Sequence, residues 1–113
     1  IGGNDLTLFE VNEAAEINRV RIEHVDPMRG ILVGDSPEFG HRVVITYSPL
    51  NGVRVWYAHD DDCRECKLDK SWIKVILREA QERQIVLTDA ELRLPPHKLA
   101  KHVFSKILPG VRL

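Results

Sequence analysis

From Asn18 onward the chain alternates. Val20 and Ile22 are interleaved with Arg19, Arg21 and Glu23, the period-two pattern of a half-buried strand. Asp26-Pro27-Met28-Arg29-Gly30 reads as a turn, because Pro presets φ and Gly tolerates positive φ. Ile31-Leu32-Val33 reads as a short second strand, and Gly34 to Gly40 as a loop. The strongest local signal follows. HRVVITYS and VRVWYAH flank Pro49-Leu50-Asn51-Gly52, and Asn-Gly between two β-rich runs marks a hairpin whose turn accepts positive φ angles. Val43, Ile45 and Tyr47 share one face of the first strand; Val53, Val55 and Tyr57 share one face of the second. The opposite faces carry Val44, Trp56 and Ala58 and are not very polar. This hairpin is therefore expected to be central, with one face covered only in part. Upstream, Leu6 to Val11 is ambiguous: it alternates like a strand, yet Leu6, Phe9, Ala14 and Ile17 equally line a helix beginning at Asp5.

Beyond the hairpin the period changes to that of a helix. Asp69 or Ser71 is placed to N-cap a helix running to about Gln84, with Trp72, Ile76 and Ala80 at i, i+4 and i+8 beside Ile73 and Leu77. Ile85-Val86-Leu87 reads as a short apolar link or a fifth strand. Thr88-Asp89-Ala90-Glu91 has capping-box spacing. Pro95-Pro96 ends that turn and opens another helix, since a first-turn Pro loses no hydrogen bond. Leu99, Val103 and Ile107, with Ala100, Phe104 and Leu108, form its apolar stripe, and Pro109-Gly110 stops it. The expected fold is α+β: an N-terminal antiparallel sheet of about four strands, as a meander or small barrel, followed by two or three C-terminal helices packed on one face. Val43, Ile45, Val55, Trp72, Ile76, Leu99 and Val103 are the expected core.

Composition narrows the class. At 113 residues the chain is expected to be one domain, 1–113, with enough surface removed from water for a core without staples. Hydrophobic residues at 43% and charged residues at 29% fit a globular domain rather than a disordered one. No apolar run is long enough to span a bilayer and no charged-then-apolar leader opens the chain, so no membrane partner and no secretion are expected. Ile1-Gly2-Gly3 in place of Met reads as a cleaved tag, a processed end or a fragment. Two cysteines make no disulfide framework, which favours a reducing, cytoplasmic setting.

The net charge of −1 hides an asymmetry. Residues 1–63, mainly β, carry five Arg and no Lys against 11 carboxylates; residues 64–113, mainly α, carry 11 Lys and Arg against six. Such a dipole can steer a charged partner, or it can reflect two halves of complementary charge.

The sign changes inside His59-Asp60-Asp61-Asp62-Cys63-Arg64-Glu65-Cys66-Lys67. Cys63 and Cys66 have the spacing of a zinc knuckle, and His59 and His97 are the candidate further ligands. No second Cys-x-x-Cys exists, and the distance from Cys66 to His97 matches no common finger. His97 and His102 point well apart on one helix, so hardly both can face inward. The order strand, polar loop, Cys-x-x-Cys-Lys, helix is that of a thioredoxin-like thiol centre. The βαβ unit upstream and the proline-led hairpin downstream are missing, however, and the three aspartates oppose a thiolate at Cys63. Asp60 and Asp62 could converge on a cation, but the calcium-loop pattern is absent. A solvent-facing loop without metal or permanent disulfide is expected, with no cofactor and zinc as the alternative. No Gly-rich phosphate loop, Gly-x-Ser-x-Gly elbow or His-Glu-x-x-His occurs, and nothing argues positively for an enzyme.

Binding is the better expectation. The three C-terminal helices fall in the order of a helix-turn-helix domain, whose last helix enters the major groove with basic side chains forward. Lys98, Lys101, His102, Ser105 and Lys106 lie off the apolar stripe, and Arg93 precedes them. The usual turn glycine is missing and Pro95-Pro96 is unusual there. The sequence thus points to a small non-catalytic binding or regulatory protein that touches nucleic acid through these residues. The alternatives are a module binding another protein through its sheet, then a thiol or zinc protein using Cys63 and Cys66.

Overall fold

The computed structural model describes residues 2–38, 41–58, 70–111 and 113. The chain forms two compact units, residues 1–58 and 59–113. No helix among the described residues is long and apolar enough to cross a membrane.

The first unit is a helix on a four-stranded antiparallel meander. Helix α1 spans Gly2–Ile17, which decides the ambiguous segment. It ends in a Schellman turn: the Val20 amide donates to the Ala15 carbonyl (2.8 Å) and the Arg19 amide to Glu16 (3.2 Å), while Arg19 takes φ 54°. Strands β1 (Arg21–Asp26), β2 (Ile31–Ser36), β3 (His41–Ser48) and β4 (Gly52–Ala58) follow in spatial order β1-β2-β3-β4. The sheet is open rather than a barrel. Of the expected central hairpin, only β3 is internal; β4 ends the order.

Two local differences from the sequence reading have clear causes. Strand β2 continues through Gly34, Asp35 and Ser36, which read as loop, because Gly34 faces a register shift between Ile22 and His24. A Cβ at Gly34 would sit 2.3 Å from the Arg21 carbonyl oxygen, so the strand passes only without a side chain. In the β3–β4 turn only Gly52 has positive φ (68°): Ser48 pairs with Gly52, so the loop is the three residues 49–51 closed by a left-handed Gly rather than a two-residue Asn-Gly turn, and the Ser48 hydroxyl accepts from the Asn51 amide at 3.0 Å.

Helix α1 lies across the sheet, chiefly over β3. Val11, Ala14 and Ala15 pack with Leu32, Val43 and Ile45, and the half-buried Val20, Val25, Tyr47, Val53 and Val55 surround them. The second face, expected to be covered only in part, is buried at Val33, Val44, Thr46 and Trp56, and the Trp56 indole donates to the Thr46 hydroxyl at 3.0 Å. At the β1 end Arg42 is held between Glu23 and Asp35, and Arg21 pairs with Asp35. The Glu23 hydrogen bond, then Asp35, raise the Arg42 pKa against the opposing effect of burial.

The second unit is helical. Helix α2 spans Trp72–Glu82, α3 Asp89–Leu92 and α4 Pro96–Ile107. Ser71 N-caps α2 without a side-chain bond. α2 closes in a second Schellman turn, Ile85 donating to Ala80 (2.9 Å) and Gln84, at φ 58°, to Gln81 (3.1 Å). Ile85–Leu87 is a link, not a strand, and Val86 is 84% exposed. α2 packs against α4. Of the expected core positions, Val43, Ile45, Ile76, Leu99 and Val103 are buried, while Val55 and Trp72 are half-buried.

Candidate nucleic-acid interface

The α3–α4 element is built from its caps. Thr88 accepts from the Glu91 amide (3.2 Å) and the Glu91 carboxylate accepts from the Thr88 amide (3.0 Å), completing the capping box read from the sequence. α3 is a single turn. The chain passes through Arg93, and Pro96 supplies the first turn of α4. The α4 stripe is buried as expected at Leu99, Ala100, Val103, Phe104 and Ile107. Lys98, Lys101, Ser105 and Lys106 are exposed on the same helix, and Arg93 is exposed before it.

The six sequence-predicted residues do not act as one set. Glu91 gathers two of them. Its carboxylate accepts from Lys106 Nζ at 2.9 Å and 3.2 Å, and from His102 Nε2. Lys106 also reaches the Val86 carbonyl at 3.4 Å. With Lys106 first and the Thr88 amide next, these partners pull the Glu91 pKa down to about 2, against the effect of burial. Lys106 and His102 therefore clamp α3 to α4, 15 and 11 residues from Glu91 in sequence. Ser105 turns its hydroxyl onto the Lys101 carbonyl at 2.9 Å. Arg93, Lys98 and Lys101 are the exposed cations of the predicted set that lie outside the Glu91 clamp. The capping box was the only sequence signal that singled out Glu91, and it carried no hint of the clamp.

Another residue missed from sequence is Glu79. It lies fully buried on α2 and pairs with Arg83 one turn on, whose guanidinium also donates to the Glu79 carbonyl at 3.0 Å. Both contacts run between residues one helical turn apart. Removing either partner would leave the other charge uncompensated in the interior, which is strongly destabilising.

The metal and thiol alternatives fall on His59, Cys63 and Cys66, which lie outside the described residues. His97 is half-buried on the first turn of α4. Among the described residues no group of three or more His, Cys, Asp or Glu is arranged to hold a metal ion.

No protein-family model, curated protein or solved structure matches the chain.

Proposed function

We propose that the chain is a small non-catalytic binding protein that contacts nucleic acid through α4, with Arg93, Lys98 and Lys101 meeting phosphates. One observation carries this reading. The twelve residues of α4 contain three lysines and two histidines and no carboxylate, and Lys98 and Lys101 are exposed away from the buried stripe. A helix that merely solvates its outer face usually mixes both signs of charge. The Glu91 clamp supports the reading in a different way: it fixes α3, and Arg93 at its C-terminus, against the helix that would present the lysines.

The test is retention of a labelled duplex and a labelled single strand over a salt series starting near ~50 mM, where counterion release makes phosphate binding strongest. Lys98→Glu with Lys101→Glu should abolish retention while leaving the melting temperature nearly unchanged. The milder pair Lys98→Ala and Lys101→Ala should lower the salt slope by about two, one per lost phosphate contact. Lys106→Glu does not belong in this test, because it breaks the clamp and conflates folding with binding. No retention by the wild-type chain at the lowest salt would end this reading.

A further inference from the structure

We propose that the outer face of α1 docks a basic amphipathic helix of a partner protein. This site is separate from α4 and does not depend on the nucleic-acid reading. α1 buries Val11, Ala14 and Ala15 against its own sheet. Its other side carries Leu6, Phe9 and Ile17, respectively 49%, 60% and 73% exposed. Leu8, Phe9, Asn12, Glu13 and Glu16 border a shallow open depression along it. Large apolar side chains set along one exposed helix face, among polar ones, are the anchors of a helix-on-helix contact.

The charge selects the occupant. From Gly2 to Ile17 there are four carboxylates and not one Lys, Arg or His. Glu13 and Glu16, both exposed, flank the apolar positions. The complementary surface has a Leu, Ile or Phe seam bordered by Lys or Arg, spaced as on one face of a helix. A second copy of the chain fits poorly. Two-fold pairing through α1 would place the same glutamates against each other, since an isologous contact repeats one patch on both sides. Head-to-tail pairing with α4 offers lysines but no seam, because Leu99, Val103, Phe104 and Ile107 are already buried.

The probe is a synthetic helical peptide of leucine and lysine in amphipathic register, with a leucine–glutamate peptide of the same pattern as its control. Both are titrated into the full chain by calorimetry, and sedimentation measures the chain's own association. The leucine–lysine peptide should bind one to one and the leucine–glutamate peptide should not. Phe9→Ala should weaken binding by about tenfold, as loss of an interface anchor does. Glu13→Lys with Glu16→Lys should remove it, and Lys98→Glu with Lys101→Glu should leave it unchanged. Circular dichroism confirms that each variant is folded; should Phe9→Ala disturb the helix, Ile17→Ala gives the same readout from the far end of the seam. Binding indifferent to both Phe9→Ala and Ile17→Ala would overturn the proposal, reducing the contact to charge alone. Equal binding of the two peptides, or a wild-type dimer that Phe9→Ala makes monomeric, would overturn it as well.

Discussion

Arg19 and Gln84 occupy the same place in two different helices. Each is the left-handed residue that turns the chain out of a Schellman motif, with φ of 54° and 58°. Glycine is the usual occupant, because a Cβ there crowds the following carbonyl. Neither position carries the usual glycine signal, so the two helix ends were legible from the change of hydrophobic period and not from their caps. Gln84→Gly should therefore raise the stability of the chain by up to about 1 kcal/mol, the steric relief less the added freedom of the unfolded chain. Denaturant melts of the two proteins measure it, and a loss of stability would mean that the Gln84 side chain contributes more than its backbone costs. Gly34 is the opposite case. Its φ is ordinary, yet the Arg21 carbonyl leaves no room for a Cβ, and a glycine followed by Asp35-Ser36-Pro37 was legible only as a loop.

At the scale of elements, period decided what the sequence could reveal. α4 has one apolar face, so its stripe, its proline start and its exposed lysines were all legible. α1 has apolar residues on two sides. The line through Leu6, Phe9, Ala14 and Ile17 looked like the core face, but of these only Ala14 is buried, and the sheet takes Val11, Ala14 and Ala15 instead. A pattern cannot tell which of two apolar faces the fold will use; the small alanines win because they let the helix approach the strands closely. The candidate site was half legible for a related reason. Exposure of Lys98 and Lys101 follows from helical geometry alone, whereas the capture of His102 and Lys106 by Glu91 is a tertiary contact across a proline turn. That contact has a pH signature. The Glu91 carboxyl falls from its ordinary 4.5 to about 2 on folding, so its contribution is complete above 4.5, declines as the pH drops from there, and is gone below about 2. Glu91→Gln should lower the melting temperature at neutral pH, and the gap between variant and wild type should narrow steadily between pH 5 and pH 3. A gap independent of pH would show that the clamp works by shape rather than charge.

Across the whole molecule, chemistry and charge divide along the chain. Lysine is absent through residue 63, and the cations thicken after it. The two cysteines sit where the sign changes. Tetrahedral zinc needs four ligands, and the sequence supplies three close together, His59, Cys63 and Cys66, with His97 distant. Protein purified without chelator should therefore contain well under one equivalent of zinc; near one equivalent, lost together with stability in Cys63→Ser, would make the knuckle a structural centre. The β1 end of the sheet carries a last consequence. An open meander leaves the outer strand with unpaired amides and carbonyls, the template on which further strands are added in fibrils. Here that strand is broken by a register shift at Ile22–His24 and studded with Arg21 and Glu23, which are drawn into ion pairs with Asp35 on β2 and Arg42 on β3. A register-shifted, charged border opposes in-line pairing with another copy along β1, so on that side the sheet is guarded without a barrel to close it.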